Sequence, residues 1–286
     1  MAVIYRALED EFGDVVGKAR RGQELSIDDL AERMKVEARD LEAIEAYEGP
    51  TDEGVVRGLA EALGLHERKL QASAAATFFP AQPHPEGERT DGLEVRMLVL
   101  GTDFLMNGYV AICRRTRRAA VIDPGFQAER ILQALREADA EVASIWLTHG
   151  HHDHVDALDG VVAATGVDTA ICAADLELTG DRARHIRQRL VPGEQVGVGD
   201  QMFDIRATGG HTPGGVSLLH PEGIAFVGDA LFAGSLGGTR SRTAYSGQQA
   251  AVAGGLLSLA PETTLYPGHG PATTVAEELA HNPFFL

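Results

Sequence analysis

THGHHDH, at residues 148–154, is the stretch that indicates most about this chain, because it places four histidines within six residues. An apolar, strand-like run (SIWL) precedes it, and a helical pattern follows it. Side chains at positions i and i+2 of an extended segment point the same way, so His149 and His151 can bind one ion. Asp153 and His154 fall where the chain turns into the helix, and they can face a second ion. The pattern predicts a metal site rather than a solvated histidine-rich loop.

Three more candidate ligands, later in the chain, each follow an apolar run. They are His211 in GGHTPGG, Asp229 in FVGDALF and His269 in YPGHGP. Side chains at the ends of several strands can converge on one edge of a sheet, where functional sites usually form. The predicted ligand set is all nitrogen and oxygen, with no thiolate. We expect no ligation from His152.

The region from residue 93 onward has short apolar runs separated by Gly, Asp and Pro. Strands are predicted at 93–100, 109–113, 119–122, 142–147, 169–172, 202–207, 216–219, 224–227 and 264–266. Helices are predicted at 127–138, 155–164, 182–190, 248–259 and 274–280. Many strands with interspersed helices favour two packed sheets covered by helices.

The first 73 residues have the pattern of short amphipathic helices. Ser26, with Asp29 three residues later, predicts a capped helix that continues through Met34. Residues 74–92 contain three prolines and two glycines and are predicted to be a linker. The predicted division is therefore a helical domain at 1–73, a linker at 74–92 and a catalytic domain at 93–286.

The segment LSIDDLAERMKVEARDLEAIEAYEGPTDEGVVRGLAEALGL resembles the Cro/repressor-type helix-turn-helix family. That resemblance implies a DNA-reading helix at about 37–47, but the helix offers Arg39 among several acidic residues. Residues 1–73 contain 10 basic and 17 acidic residues, a net charge of −7. Because neutralisation of phosphates dominates affinity for DNA, we expect a role in protein interaction, in dimerisation or as a lid rather than DNA binding.

The motifs HGHHDH, GGHTPGG, FVGDALFAG and YPGHG resemble the successive metal motifs of the metallo-β-lactamase superfamily, across residues 93–286. The resemblance implies an α+β fold, an αββα sandwich, preceded by the small all-α helix-turn-helix domain. It implies two divalent ions, zinc first, with iron or manganese as alternatives. The first ion would be held by His149, His151 and His211, the second by Asp153, His154 and His269, and Asp229 would bridge them.

IDPG at 122–125, GDALFAGSLG, LYPGHGPATT and HNPFF are most similar to the short bacterial glyoxalase II-like branch. That likeness implies hydrolysis of a small-molecule thioester by a hydroxide held between two ions, with Asp153 as the catalytic residue that orients it. The family places a cation where this chain has Gly238. Arg240, Arg242 and Tyr245 are the candidate substrate-binding residues.

Three other functions stay open on the sequence alone. One is a persulfide dioxygenase with a single iron at His149, His211 and Asp229. Another is a lactonase or other ester hydrolase on the same scaffold. The third is not an enzyme but a transcriptional regulator that senses a ligand through the metallo domain.

The composition adds limits on location and partners. A net charge of −17 argues against binding of the whole molecule to nucleic acid or to anionic membranes. No apolar run approaches the roughly 18 residues of a membrane span, and the N-terminus lacks a signal-peptide pattern, so a cytoplasmic location is expected. Cys113 and Cys172 are expected to be free thiols. A homodimer is compatible with the repressor-like helices.

Overall fold

The computed structural model describes residues 5–81 and 87–286, and its N-terminal part is helical. Among residues 5–81 the helices are α1 (Phe12–Gly22), α2 (Ile27–Met34), α3 (Ala38–Glu45), α4 (Glu53–Leu63) and α5 (Glu67–Ala74); together they are called the helical unit below. The predicted cap of α2 is confirmed, because the Ser26 hydroxyl accepts from the Asp29 N–H and the Asp29 carboxylate accepts from the Ser26 N–H. A helix-turn-helix function of this unit stays a prediction, as does the division into domains.

The remainder of the described chain contains two six-stranded sheets. The first sheet consists, in spatial order, of β1 (Leu93–Gly101), β2 (Leu105–Cys113), β3 (Arg118–Ile122), β4 (Glu141–Trp146), β5 (Thr169–Ile171) and β6 (Ile186–Arg189). The second consists of β7 (Gln195–Val198), β8 (Gln201–Ala207), β9 (Val216–His220), β10 (Ile224–Gly228), β11 (Thr264–Pro267) and β12 (Thr273–Thr274). The helices are α6 (Ala128–Glu137), α7 (His152–Val155), α8 (Leu158–Thr165), α9 (Arg242–Gly255) and α10 (Val275–His281).

Three apolar clusters define the layers. Trp146 of the first sheet and Phe203, Phe226 and Tyr266 of the second belong to one cluster, which lies between the sheets. A second cluster joins the outer face of the first sheet to α6 and α8. The third joins the outer face of the second sheet to α9, α10 and the helical unit. The layer order confirms the predicted two packed sheets covered by helices.

Strand directions explain why the candidate ligands meet. β9 pairs antiparallel with both β8 and β10, and β10 pairs parallel with β11. Strands β8, β10 and β11 therefore run the same way, and their carboxyl ends lie on one edge of the second sheet. His211, Asp229 and His269 follow these three strands, and His149 follows β4 of the first sheet.

Several predicted elements need correction. The predicted helix at 182–190 is wrong: residues Ala173–His185 form a 3₁₀ segment, and Ile186–Arg189 is an edge strand paired parallel with β5. Parallel pairing with a distant segment overrides the local helical pattern here. The predicted helix at 155–164 is two helices, α7 and α8, and the predicted helix at 248–259 begins earlier, at Arg242, and ends at Gly255. Strands β7 and β12 were not predicted.

The helical unit shares a core with the second sheet instead of standing apart. Leu41, Leu59 and Leu70 belong to the same buried cluster as Val227 and Leu265. No helix in the described ranges is long and apolar enough to cross a membrane. Both cysteines are free.

Candidate metal centre

Three histidines from two loops form the first cluster, called the first triad. His149 and His151 follow β4, and His211 follows β8. One nitrogen of each of the three rings lies within 4.8 Å of the others, which is compatible with three ligands at about 2.0–2.1 Å from one ion. His211 Nε2 and His151 Nδ1 are 2.8 Å apart. The alternation of side chains expected for His149 and His151 brings both to the same cluster.

Asp153, His154 and His269 form the second triad, with one ligand atom from each again within 4.8 Å. Asp153 and His154 lie in α7, which begins directly after His151, and His269 lies just beyond β11. His269 Nε2 is 3.1 Å from Asp153 Oδ2 and 3.3 Å from His154 Nε2. The helix start thus brings these two side chains to the loop of His269, and the ring of His154 also lies 4.1 Å, centroid to centroid, from the ring of His149 in the first triad.

Asp229 lies between the two triads. Its Oδ2 is 3.3 Å from His211 Nε2 and 3.6 Å from His269 Nε2. Its Oδ1 is 3.4 Å from His154 Nε2. One carboxylate therefore faces nitrogen atoms of both clusters, which is the position a bridging ligand needs.

The partners of the other ring nitrogens show which atoms carry lone pairs. His211 Nδ1 lies 2.8 Å from the carbonyl oxygen of Gly238, and His269 Nδ1 lies 2.8 Å from that of Leu105. A carbonyl only accepts, so each Nδ1 carries the proton and each Nε2 presents a lone pair to the site. His149 Nε2 is buried and has no hydrogen-bond partner among residues 5–81 and 87–286. A buried, orphaned nitrogen among converging lone pairs fits a cation.

His149, His151 and Asp229 have pKa shifts that suit a divalent ion, whose ligands must be deprotonated, whereas the pKa of His154 is shifted toward the charged form. Burial lowers the pKa of His149 well below its ordinary value, and burial likewise lowers the pKa of His151. Burial opposes ionisation of Asp229, but His154, His269 and His149 outweigh it and hold the pKa of Asp229 well below its ordinary value. Burial also opposes the charged form of His154, yet Asp229 and Asp123 raise the pKa of His154 well above the usual range.

Asp123, in the IDPG turn, contacts a histidine of the second triad directly and one of the first triad through Thr148. Its Oδ1 accepts from the Thr148 N–H at 2.7 Å, and its Oδ2 accepts from the Thr148 hydroxyl at 2.6 Å. The same Oδ2 is 3.1 Å from His154 Nδ1, and the Thr148 hydroxyl is 3.1 Å from His149 Nδ1. Asp123 also forms a compact group with His149 and His154, but its oxygens are already used by these donors. We therefore interpret it as an orienting residue and not as a ligand.

Asp175 is a second supporting carboxylate, and it was not predicted from the sequence. It is completely buried in the 3₁₀ segment. Its Oδ2 accepts from the Gly150 N–H at 3.1 Å, and its Oδ1 accepts from the Gly214 N–H at 2.6 Å. A Cβ at Gly214 would lie 2.8 Å from the Asp175 backbone nitrogen, so this close approach requires glycine. One side chain thus holds the two loops that carry the first triad, although no local motif marks it.

The candidate substrate residues lie at the junction with the helical unit. Arg240 is exposed, whereas Arg242 donates to the carbonyl of Gln23 at 2.8 Å. Tyr245 is buried, and its ring lies 2.5 Å from where a Cβ of Gly22 would stand. A substrate contact by these three residues stays a prediction. His152 is exposed and lies 3.1 Å from Asp156, outside both triads.

Comparisons with known proteins place this geometry in a family. Residues 105–269 match the family model described as the metallo-beta-lactamase superfamily. The hydroxyacylglutathione hydrolase GloC of Haemophilus influenzae is 32% identical over 59% of this chain and 87% of its own length. The "Probable polyketide biosynthesis zinc-dependent hydrolase PksB" of Bacillus subtilis is 26% identical over 59% of this chain and 77% of its own. The crystal structure of ETHE1 from Myxococcus xanthus is 29% identical, with a TM-score of 0.57 over 66% of this chain and 83% of that one.

Proposed function

The chain belongs to the metallo-beta-lactamase superfamily, and from that premise we propose that it is a metal-dependent hydrolase of small-molecule thioesters. The observation that carries the proposal is the pair of triads sharing Asp229. The likeness to a hydroxyacylglutathione hydrolase supports a thioester, since that relative's name specifies one. The zinc-dependent relative supports zinc as the metal.

In this proposal the residues divide between two ions. His149, His151 and His211 would hold the first ion, Asp153, His154 and His269 would hold the second, and Asp229 would be shared by both. The orphaned Nε2 of His149 and the lone pairs of His211 and His269 supply the donor atoms. When bound, such ions lower the pKa of water and polarise a substrate carbonyl.

Asp153 is the residue that we assign to orienting the attacking water and accepting its proton. Its side chain is 22% exposed, and that of His211 is 20% exposed, whereas those of His149, His154 and His269 are all under 5% exposed. The open side of the site therefore lies at Asp153 and His211, and substrate approaches from there. A thiolate is a good leaving group, so hydrolysis of a thioester needs no additional general acid.

The first experiment is elemental analysis of protein purified without added metal or chelator, followed by hydrolysis assays with S-lactoylglutathione, an acyl-coenzyme A thioester and a lactone. We expect two equivalents of metal and turnover of at least one thioester. Asp153→Asn should reduce kcat by about 100-fold or more, the scale of general acid–base catalysis. The matched control is Asp204→Asn, because Asp204 is exposed on β8 and its carboxylate accepts a hydrogen bond from the Gln195 amide at 2.8 Å.

The other outcomes separate the alternatives. One equivalent of iron with persulfide-dependent oxygen uptake would overturn the hydrolase proposal in favour of the dioxygenase. Two equivalents with turnover of the lactone alone would retain the metal site and overturn the thioester. A sequence-selective DNA complex in a low-salt gel shift would restore the regulator hypothesis for the helical unit.

A further inference from the structure

The loop that carries His269 is held by a residue of β2 and, through it, by a residue near the N-terminus. Asn107 of β2 is completely buried, and its side-chain amide donates to the carbonyls of Pro267 at 3.0 Å and Gly270 at 2.8 Å. Its backbone N–H donates to the carbonyl of Gly268 at 2.7 Å. Three hydrogen bonds from one residue therefore bracket His269 on both sides.

The remaining polar atom of Asn107 is satisfied from the N-terminal segment, residues 5–11. With both amide hydrogens donated, Oδ1 requires a donor, and the Tyr5 hydroxyl donates to it at 2.9 Å. Burial raises the pKa of Tyr5 above its ordinary value, while a hydrogen bond from the Gly270 backbone acts in the opposite direction. Tyr5 thus contacts both Asn107 and the residue directly after His269.

The same segment packs against the backbone of that loop. Gly270 has a φ of +71°, and a Cβ there would lie 3.0 Å from Cβ and 3.1 Å from the backbone nitrogen of Glu9. Only glycine allows this combination of a left-handed conformation and close approach. Burial raises the pKa of Glu9, and His269 opposes that shift.

Helix α1 reaches the neighbouring loop as well. Lys18 forms an ion pair with Asp10 and lies 4.6 Å above the centroid of the Phe232 ring. The Phe232 ring is 5.7 Å from the ring of His269. Residues 5–18 therefore contact the loops that follow both β10 and β11.

We propose that the N-terminal segment is part of the second metal subsite, with Tyr5 as a positioning residue that holds the His269 loop through Asn107. Tyr5 lies outside residues 105–269, which match the superfamily model, so this chain would complete a shared site with a segment of its own. The inference rests on the metal site proposed above. In this proposal the N-terminal part of the chain has a role in the metal centre, and that role does not involve binding to DNA.

The test is a titration of metal-free protein with zinc ions, followed by calorimetry, for the wild-type chain and Tyr5→Phe. The variant removes one hydroxyl group and keeps the ring. We expect one binding step to keep its affinity and the other to weaken by about 10-fold or more, the scale seen when an outer partner of a metal ligand is lost. Tyr47→Phe is the matched control, because the Tyr47 hydroxyl donates to Asp14 on the exposed side of the helical unit; both of its steps should be unchanged.

Measurement in a His211→Ala background assigns the weakened step, since the intact triad there is the second one. Tyr5→Phe should weaken the ion that remains. Unchanged affinity in either background, or equal weakening of both steps with a lower melting temperature, would overturn the proposal. Absence of zinc binding by the wild-type chain would instead overturn the proposed metal centre itself.

Discussion

The first and second triads have similar ligands but differ in what holds them. In the first triad, Asp175 joins the loops of His149 and His211 from within the catalytic fold. In the second, the loop of His269 is bracketed by Asn107, which in turn accepts a hydrogen bond from Tyr5. One proposed subsite is therefore complete within the sandwich, whereas the other also depends on residues before the helical unit.

Two residues outside the triads interact with both of them, which limits that difference. Asp229 faces His211 and His269, and Asp123 reaches His154 directly and His149 through Thr148. Changes at these positions should affect both subsites, and changes at Asp175 or Tyr5 should affect one.

Asp229→Asn should have the largest effect. The substitution removes a negative charge that His154, His269 and His149 all face, so both ions lose a ligand at once. We expect thioester turnover to fall by more than about 100-fold, the upper end of what loss of an outer partner costs. Elemental analysis should show loss of metal from both subsites, and full retention of either ion would contradict the bridging assignment.

Asp123→Asn should come next and should weaken both zinc-binding steps. An amide cannot accept from the Thr148 N–H, the Thr148 hydroxyl and His154 in the same arrangement as a carboxylate. Each affinity should fall by about 10- to 100-fold, as measured by zinc titration. A loss confined to one step would show that Asp123 serves only one triad.

Asp175→Ala should weaken only the first subsite. The change leaves the buried Gly150 and Gly214 N–H groups without their acceptor, at a cost of about 1–3 kcal/mol each in the free energy of unfolding. In a His269→Ala background, where the first triad is intact, zinc affinity should fall by about 10- to 100-fold. Tyr5→Phe in that same background should leave the zinc affinity unchanged. A loss of affinity there would show that Tyr5 also supports the first subsite.

His152→Ala should have the smallest effect on stability and on zinc affinity, and it serves as the reference for the other variants. Its side chain is 72% exposed and lies 3.1 Å from Asp156, so we expect a change within about 0.5 kcal/mol in the free energy of unfolding. Both zinc-binding steps should stay as in the wild-type chain. A weaker step would place His152 within the site, against the expectation from its position in the motif.

The sequence signals that agree with the structure are local. The positions of the seven candidate ligands follow from short motifs after apolar strands, and the structure brings all seven together. The predicted helix at 182–190 is wrong. Residues 186–189 of this polar, arginine-rich run form strand β6, and its partner, β5, begins 17 residues upstream. No local pattern reports such parallel pairing.

The residues that hold the ligands could not be found in the same way. Asp123 was visible only as part of the IDPG turn, and Asp175 lies 25 and 39 residues from the two groups it joins. Tyr5 is 102 residues from Asn107. Hydrogen bonds over such separations leave no periodicity or spacing in the chain.

The amino-acid sequence indicated the candidate metal ligands and the two-sheet architecture, because ligand type and apolar alternation are properties of short segments. The division of the candidate ligands between two triads follows from the family resemblance, and the tertiary structure supplies its physical reason, since the direction of each strand sets which side chains meet at the sheet edge. Only the tertiary structure decided that residues 5–18 contact the loops beside the site. The helical pattern of the N-terminal part predicts a buried face, but what covers that face depends on the surface it packs against.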